Sequence, residues 1–329
     1  MIILFAILLL IVGMILIWVG SDWMTDSLIP VAKFLGTSYV AVASILVSIM
    51  LSIPEIFTSV YSYYMGYLDI SLGVIIGSIM CNIGLMTGLS AIIKPLHVDK
   101  EMVVRDGFFA LVVCAIIFVF GIDLTYESSE GIVLLLLFLP YAMNVWFAEK
   151  WRNPEEQKKR LKELEIDLEE IGMGPVRLKP GMITFLFGTT VLLGGSYLFS
   201  KSLTMIASQT TIPDMIIGLT LGAIGPSVPN IISAVQGTLK NYKTIAIAET
   251  FGSNIFTMLV TLGILITLSP VKITPRILFF DITWMGIMHL LMISFIIKGF
   301  LAKESPIIRV EGISLILFYV VLLLVNVFL

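Results

Sequence analysis

Charge is what this sequence has least of. Only 13% of its 329 residues are Asp, Glu, Lys or Arg, whereas 58% are hydrophobic, and the mean hydropathy is +1.04. That balance excludes a soluble domain and points to a polytopic helical membrane protein. Cysteine is almost absent, and Cys81 and Cys114 both fall inside apolar runs, so no disulfide framework is expected. Histidine is equally scarce. His97 lies in a loop and His289 stands alone in a peripheral span, which leaves no metal-ligating pair and no Ser-His-Asp set, so no enzyme activity is expected. His289 reads as a packed or lipid-edge residue before it reads as a proton relay. The opening apolar run lacks a basic flank and a small-residue cleavage site, so a retained span is expected there and not a signal peptide.

What is present is a series of apolar runs of spanning length. They lie at roughly 1–19, 39–65, 71–93, 103–121, 131–148, 182–200, 213–239, 244–268, 277–297 and 310–329. The sequence thus predicts ten membrane helices. With the amino terminus outside, seventeen Lys and Arg fall in inner loops and three, Lys201, Lys272 and Arg276, outside. This positive-inside bias places the protein in the cell membrane with both termini outside. The linker at 149–181 is then cytoplasmic. It carries Lys158–Lys162, an acidic run from Glu163 to Glu170 and a Gly172–Pro175 turn, and reads as a solvated helix followed by a turn.

The second half repeats the first. Gly20-Ser21 recurs as Gly195-Ser196, Ser27-Leu28 as Ser202-Leu203, Ser52 as Ser227, Pro54 as Pro229, Gly77-Ser78 as Gly252-Ser253, Gly88 as Gly263 and Pro95 as Pro270. The offset is constant and needs no gap, so the chain is an internal duplication. Two five-span repeats are expected, at 1–148 and 182–329. An odd number of spans per copy inverts the second, and inverted repeats place a substrate site at the midplane between broken helices. The spans near 103–121, 131–148, 277–297 and 310–329 are mostly Leu, Ile, Val and Phe, as expected of scaffold or lipid-facing helices.

Two stretches concentrate the polar chemistry: Ser52-Ile53-Pro54-Glu55 and Ser227-Val228-Pro229-Asn230. A proline within a span removes a donor and leaves an upstream carbonyl without an intrahelical partner, and such backbone is tolerated only inside protein or beside a wet cavity. Glu55 adds a carboxylate that costs about 2.5 to 3.5 kcal/mol to insert, which helix packing alone does not require. Ser48, Ser52, Glu55, Thr58, Ser59 and Ser62 stripe one helix face. Ser78 and Asn82 share a face of the next span, and Ser233, Ser253, Asn254 and Thr257 extend the second copy. Any single serine is equally well read as helix-to-helix glue. Hydroxyl, amide, carboxylate and carbonyl oxygens together suit alkali and alkaline-earth cations. No Lys or Arg lies in the repeat cores, which argues against anions.

At these residues the chain resembles the sodium/calcium exchanger family of the cation/calcium antiporter superfamily. The family's repeats carry Gly-Thr-Ser-x-Pro-Glu/Asp followed by Gly-Ser-x-x-x-Asn/Asp. The matches are Ser52-Ile53-Pro54-Glu55, Gly77-Ser78-Ile79-Met80-Cys81-Asn82, Gly225-Pro226-Ser227-Val228-Pro229-Asn230 and Gly252-Ser253-Asn254-Ile255-Phe256-Thr257. The short central loop resembles prokaryotic members. The resemblance implies Na+/Ca2+ antiport by alternating access, with transported ions and no cofactor, the bilayer and small cations as the only partners, and no nucleic acid or obligate protein partner. It implies ion ligands at Ser52, Glu55, Ser78, Asn82, Ser227 and Ser253, completed by carbonyls near Ser48 and Ala223.

The second repeat is atypical, because Asn230 and Thr257 stand where relatives carry acids, and Met50-Leu51 and Pro226 also depart from the pattern. Glu55 alone remains among the core carboxylates, so weaker calcium affinity is expected. Glu249, four residues before Ser253, is a candidate replacement, set against the plain alternative of an acid drawn to Lys243 or a helix end. With one central acid, exchange of a monovalent cation, a proton or another divalent ion is the first alternative. A non-transporting scaffold or receptor is the second.

Overall fold

The computed structural model describes residues 2–27, 39–97, 100–150, 155, 178–240, 245–302 and 307–328. Most of the 149–181 linker, including its charged runs, lies outside the described residues, as does Lys243. Ten long helices are present among them: α1 Ile2–Asp26, α2 Tyr39–Tyr64, α3 Leu68–Ile93, α4 Val103–Asp123, α5 Ser128–Lys150, α6 Met182–Gln209, α7 Asp214–Leu239, α8 Ala246–Leu268, α9 Ile277–Ala302 and α10 Arg309–Phe328. Nine are long and apolar enough to cross a membrane by length and composition. α2 has the same length and carries the Ser52–Glu55 stretch.

The helices form an inner group and a shell. α3 is almost wholly enclosed, α7 and α8 largely so, while α1, α4, α5, α6, α9 and α10 present most of their apolar surface outward. Lipid is as apolar as leucine, so the shell packs through close backbone approach and not through a hydrophobic drive. α1 and α6 show this most directly. A Cβ at Gly13 would stand 2.7 Å from the Phe199 nitrogen, and one at Gly195 would stand 2.8 Å from the Ile17 nitrogen. Gly20 and Gly188 close the same seam farther along, and the pairing order shows that the helices run antiparallel.

The repeat symmetry extends through the described helices. Glu55 and Asn230, Ile79 and Asn254, and Cys114 and His289 are pairs 175 residues apart, and each pair is in direct contact. Equivalent residues can touch only on or beside a two-fold axis. π-helical turns recur with it: Asn82–Thr87 in α3 matches Thr257–Thr261 in α8, and Val103–Gly107 in α4 matches Ile277–Ile282 in α9. Short backbone bridges do the same at the ends. β1 (Thr125–Tyr126) pairs antiparallel with β2 (Val271–Lys272), joining Tyr126 to Val271, and Leu96 bridges Ile307 in the equivalent place. A longer loop before α10 absorbs the change of spacing there.

The helix breaks expected at the prolines take a milder form. α2 runs unbroken through Pro54, and the last part of α7, Ala223–Leu239, runs through Pro226 and Pro229. A proline removes one hydrogen bond without requiring the helix to unwind. The irregularity sits instead in π turns, one of them Gly218–Gly222 just ahead of Pro226. Such turns insert a residue into the ladder and often mark functional places in helices.

Candidate ion-binding site

The polar stripe of α2 faces the inner group. Ser52, Glu55, Thr58, Ser59 and Ser62 are all fully buried, as are Ser78, Ser227 and Asn254, while Asn82, Asn230, Ser253 and Thr257 are nearly so. The three-and-four spacing of these residues places them on one side of each helix, so the crossing of α2, α3, α7 and α8 gathers all of them inside the protein.

Four predicted residues are linked in one network. Ser52 Oγ lies 2.9 Å from Ser253 Oγ. Asn230 Nδ2 donates to Ser253 Oγ at 3.2 Å and to Glu55 Oε1 at 3.4 Å. Ser78 Oγ donates to the Ala223 carbonyl at 3.4 Å, tying α3 to α7 just before Pro226. Asn82 Nδ2 donates to Asn254 Oδ1 at 3.1 Å, tying α3 to α8.

What these groups leave unbonded matters more. Glu55 Oε2, Asn82 Oδ1, Asn230 Oδ1, Ser227 Oγ and Thr257 Oγ1 are buried and make no hydrogen bond. Buried polar atoms are normally satisfied, and here five oxygens from four helices are not. All five can act as ligands to a hard cation. Among the described residues no three His, Cys, Asp or Glu cluster as a metal site, and no Lys or Arg forms an ion pair with Glu55. The network thus joins one carboxylate to neutral hydroxyl and amide groups.

Glu249 is placed differently from the rest. It is half-buried, and its Oε1 accepts a 2.8 Å bond from Ser233 Oγ. Ser233 lies one helical turn beyond Asn230 on the same helix. The side chain of Ser48 lies outside the described residues.

Two contacts were not read from the sequence. Of the two readings of His289, packed or lipid-edge, the packed one holds, because it is fully buried and its Nε2 lies 3.2 Å from Asn254 Nδ2. Its span has an outward face, and His289 occupies the opposite one. The inner helices are also tied by a pair that was not singled out: Thr87 Oγ1 donates at 2.6 Å to Thr250 Oγ1, which itself donates to the Ala246 carbonyl. The signal that could have found the role of Asn254 and His289 is the repeat offset itself, since their equivalents are Ile79 and Cys114 and polar substitutions on a symmetry axis meet their own mates.

Two repeats whose equivalent residues meet in the middle, with a buried carboxylate and neutral oxygens between them, are the build of a secondary transporter. The model of the sodium/calcium exchanger protein family matches residues 5–147 and 180–328, and the chain belongs to that family and so to the cation/calcium antiporters. It is 28% identical to the sodium/calcium exchanger MaX1 of Methanosarcina acetivorans, covering 97% of each chain. It is 32% identical to an uncharacterised membrane protein of Methanocaldococcus jannaschii, MJ0091, over 74% of this chain and 75% of that one. Among solved structures it is similar to the sodium-calcium exchanger NCX_Mj soaked with 10 mM Na+ and zero Ca2+, with a TM-score of 0.64 at 28% identity over 97% of this chain and 98% of that one.

Proposed function

We propose that this antiporter exchanges Na+ for Ca2+ by alternating access, with Glu55 as the central ion ligand. The observation that carries the reading is the Glu55 carboxylate, buried with no cationic partner among the described residues, within a group of helices that holds four other unbonded oxygens. A bound cation supplies the missing charge. Ser52, Ser78, Asn82, Ser227, Asn230, Ser253 and Thr257 provide neutral oxygens around it, with backbone carbonyls at Ala223 and near Ser48. Glu249 contributes a second negative charge from one turn away, on the inner side.

The Glu55–Asn230 bond bears on selectivity. Where a second acid would repel Glu55, the Asn230 amide donates to it. The site therefore rests without a cation more readily than a two-acid site, and a divalent ion in it stays less than neutralised. Calcium binding is accordingly weaker than the family's two-acid pattern provides.

In the membrane both termini face outward and residues 149–181 face the cytoplasm, on the distribution of Lys and Arg. The two repeats, 1–148 and 182–329, rock or slide against each other around the fixed site.

Competition titration of the purified protein tests the reading. Ca2+ should bind, and Na+ should displace it, because both ions need Glu55. If Na+ at any concentration leaves Ca2+ binding unchanged, the two ions do not share a site and exchange through it is excluded.

A further inference from the structure

A chain of side-chain hydrogen bonds runs from α9 to the ion site, and its polarity can be worked out from the end far from the site. His289 Nδ1 lies 2.9 Å from the Met285 carbonyl. A carbonyl only accepts, so Nδ1 carries the proton and Nε2 is left as an acceptor. Cys114 Sγ, 3.7 Å from Nδ1, does not alter this, because its own proton has Met258 Sδ at 3.5 Å.

His289 Nε2 lies 3.2 Å from Asn254 Nδ2. Asn254 Nδ2 also donates to the Ile79 carbonyl at 3.2 Å. Both neighbours of this nitrogen are acceptors, so the Asn254 amide has one permitted orientation. Its Oδ1 must then face Asn82, which answers with Nδ2 at 3.1 Å. Asn82 Oδ1 is thereby turned away from Asn254, and it is the oxygen left buried and unbonded.

We infer that His289 is a positioning residue for the ion site: acting through Asn254, it fixes the amide of Asn82 so that oxygen, and not nitrogen, is offered to the cation. The inference rests on the exchange reading for the role of Asn82. An amide turned over would present two N–H donors to a cation and remove a ligand, so orientation decides whether Asn82 binds or repels. Outer-sphere partners that fix a ligand's orientation commonly matter about 10- to 100-fold in metal affinity.

The repeat shows that the device belongs to one half only. The equivalents of Asn82, Asn254 and His289 are Thr257, Ile79 and Cys114. Thr257 offers a hydroxyl, which rotates freely and needs no orienting partner. Polar positioning groups accompany the one ligand of the pair whose two ends have opposite character.

A double-mutant cycle on Ca2+ affinity, measured by titration calorimetry on purified protein, separates positioning from structural support. His289→Leu should weaken Ca2+ binding about tenfold while thermal stability shows a folded protein. His289→Gln, which keeps an acceptor near the Nε2 position, should stay within about threefold of the unmodified protein. In the Asn82→Asp background the ligand offers oxygen in either orientation, so adding His289→Leu should cause no further loss. An equal loss in both backgrounds, or no loss from His289→Leu alone, overturns the inference. Should His289→Leu fail to fold, Asn254→Leu cuts the same relay and is read against Asn82→Asp in the same way. Failure of the unmodified protein to bind Ca2+ or Na+ overturns the exchange reading and this inference with it, whereas binding that ignores His289 and Asn254 overturns the inference alone.

Discussion

Asn230 Nδ2 donates to Glu55 Oε1 at 3.4 Å, across 175 residues of sequence. The two are the same position in the two repeats, so the site contains a carboxylate bonded to its own symmetry mate, an amide. On the proposed reading, that difference of one atom type sets the charge of the ion site.

Asn230→Asp should therefore tighten Ca2+ binding. The change is nearly isosteric and places a second carboxylate against Glu55. A tenfold gain corresponds to about 1.4 kcal/mol, well within reach of a titration. Two close carboxylates raise one another's pKa, so at low pH the pair shares a proton and the gain is small. It should grow as pH rises and the second carboxyl ionises. A gain that shrinks from neutral to alkaline pH would contradict this account.

Glu249→Gln tests the outlying carboxylate. Glu249 bonds to Ser233, one turn beyond Asn230. Its contribution is a through-space charge, so the substitution should weaken Ca2+ binding a few-fold, with an effect that falls at high ionic strength. A loss as large as that from Glu55→Gln would place Glu249 in direct contact with the ion.

Gly195→Leu tests the seam between α1 and α6. A side chain there meets the α1 backbone, 2.8 Å from the Ile17 nitrogen. The helices must separate, and overpacking of this kind costs about 1–3 kcal/mol. Thermal stability in detergent should fall, while Gly194→Leu, where a Cβ meets nothing within 4 Å, should leave it unchanged.

Much of this architecture is legible in the sequence because membranes restrict the choices. Spanning length carried the ten helices, and the 175-residue spacing carried the two-repeat architecture. The stripe from Ser52 to Ser62 is visible because helical periodicity is strong and polar residues are rare in such helices. The π turns were not legible, since Asn82–Thr87 and Thr257–Thr261 contain nothing that local propensity marks as irregular. Continuity through Pro54 was not legible either, because a proline signals a lost bond and not the path taken around it. The packed and lipid-edge readings of His289 stayed open because its span is apolar on both sides in sequence, and only its contact with Asn254 shows which face is inside.

The most direct test of the central claim is Na+-gradient-driven 45Ca2+ uptake into sealed liposomes, with the unmodified protein beside Glu55→Gln. Gln keeps the shape of the side chain and removes its charge. The unmodified protein should accumulate Ca2+ when Na+ flows out and stop when the gradient is abolished, and Glu55→Gln, folded and inserted equally well, should show uptake no faster than empty vesicles. Uptake by Glu55→Gln at near the unmodified rate would remove Glu55 from the mechanism and contradict the account.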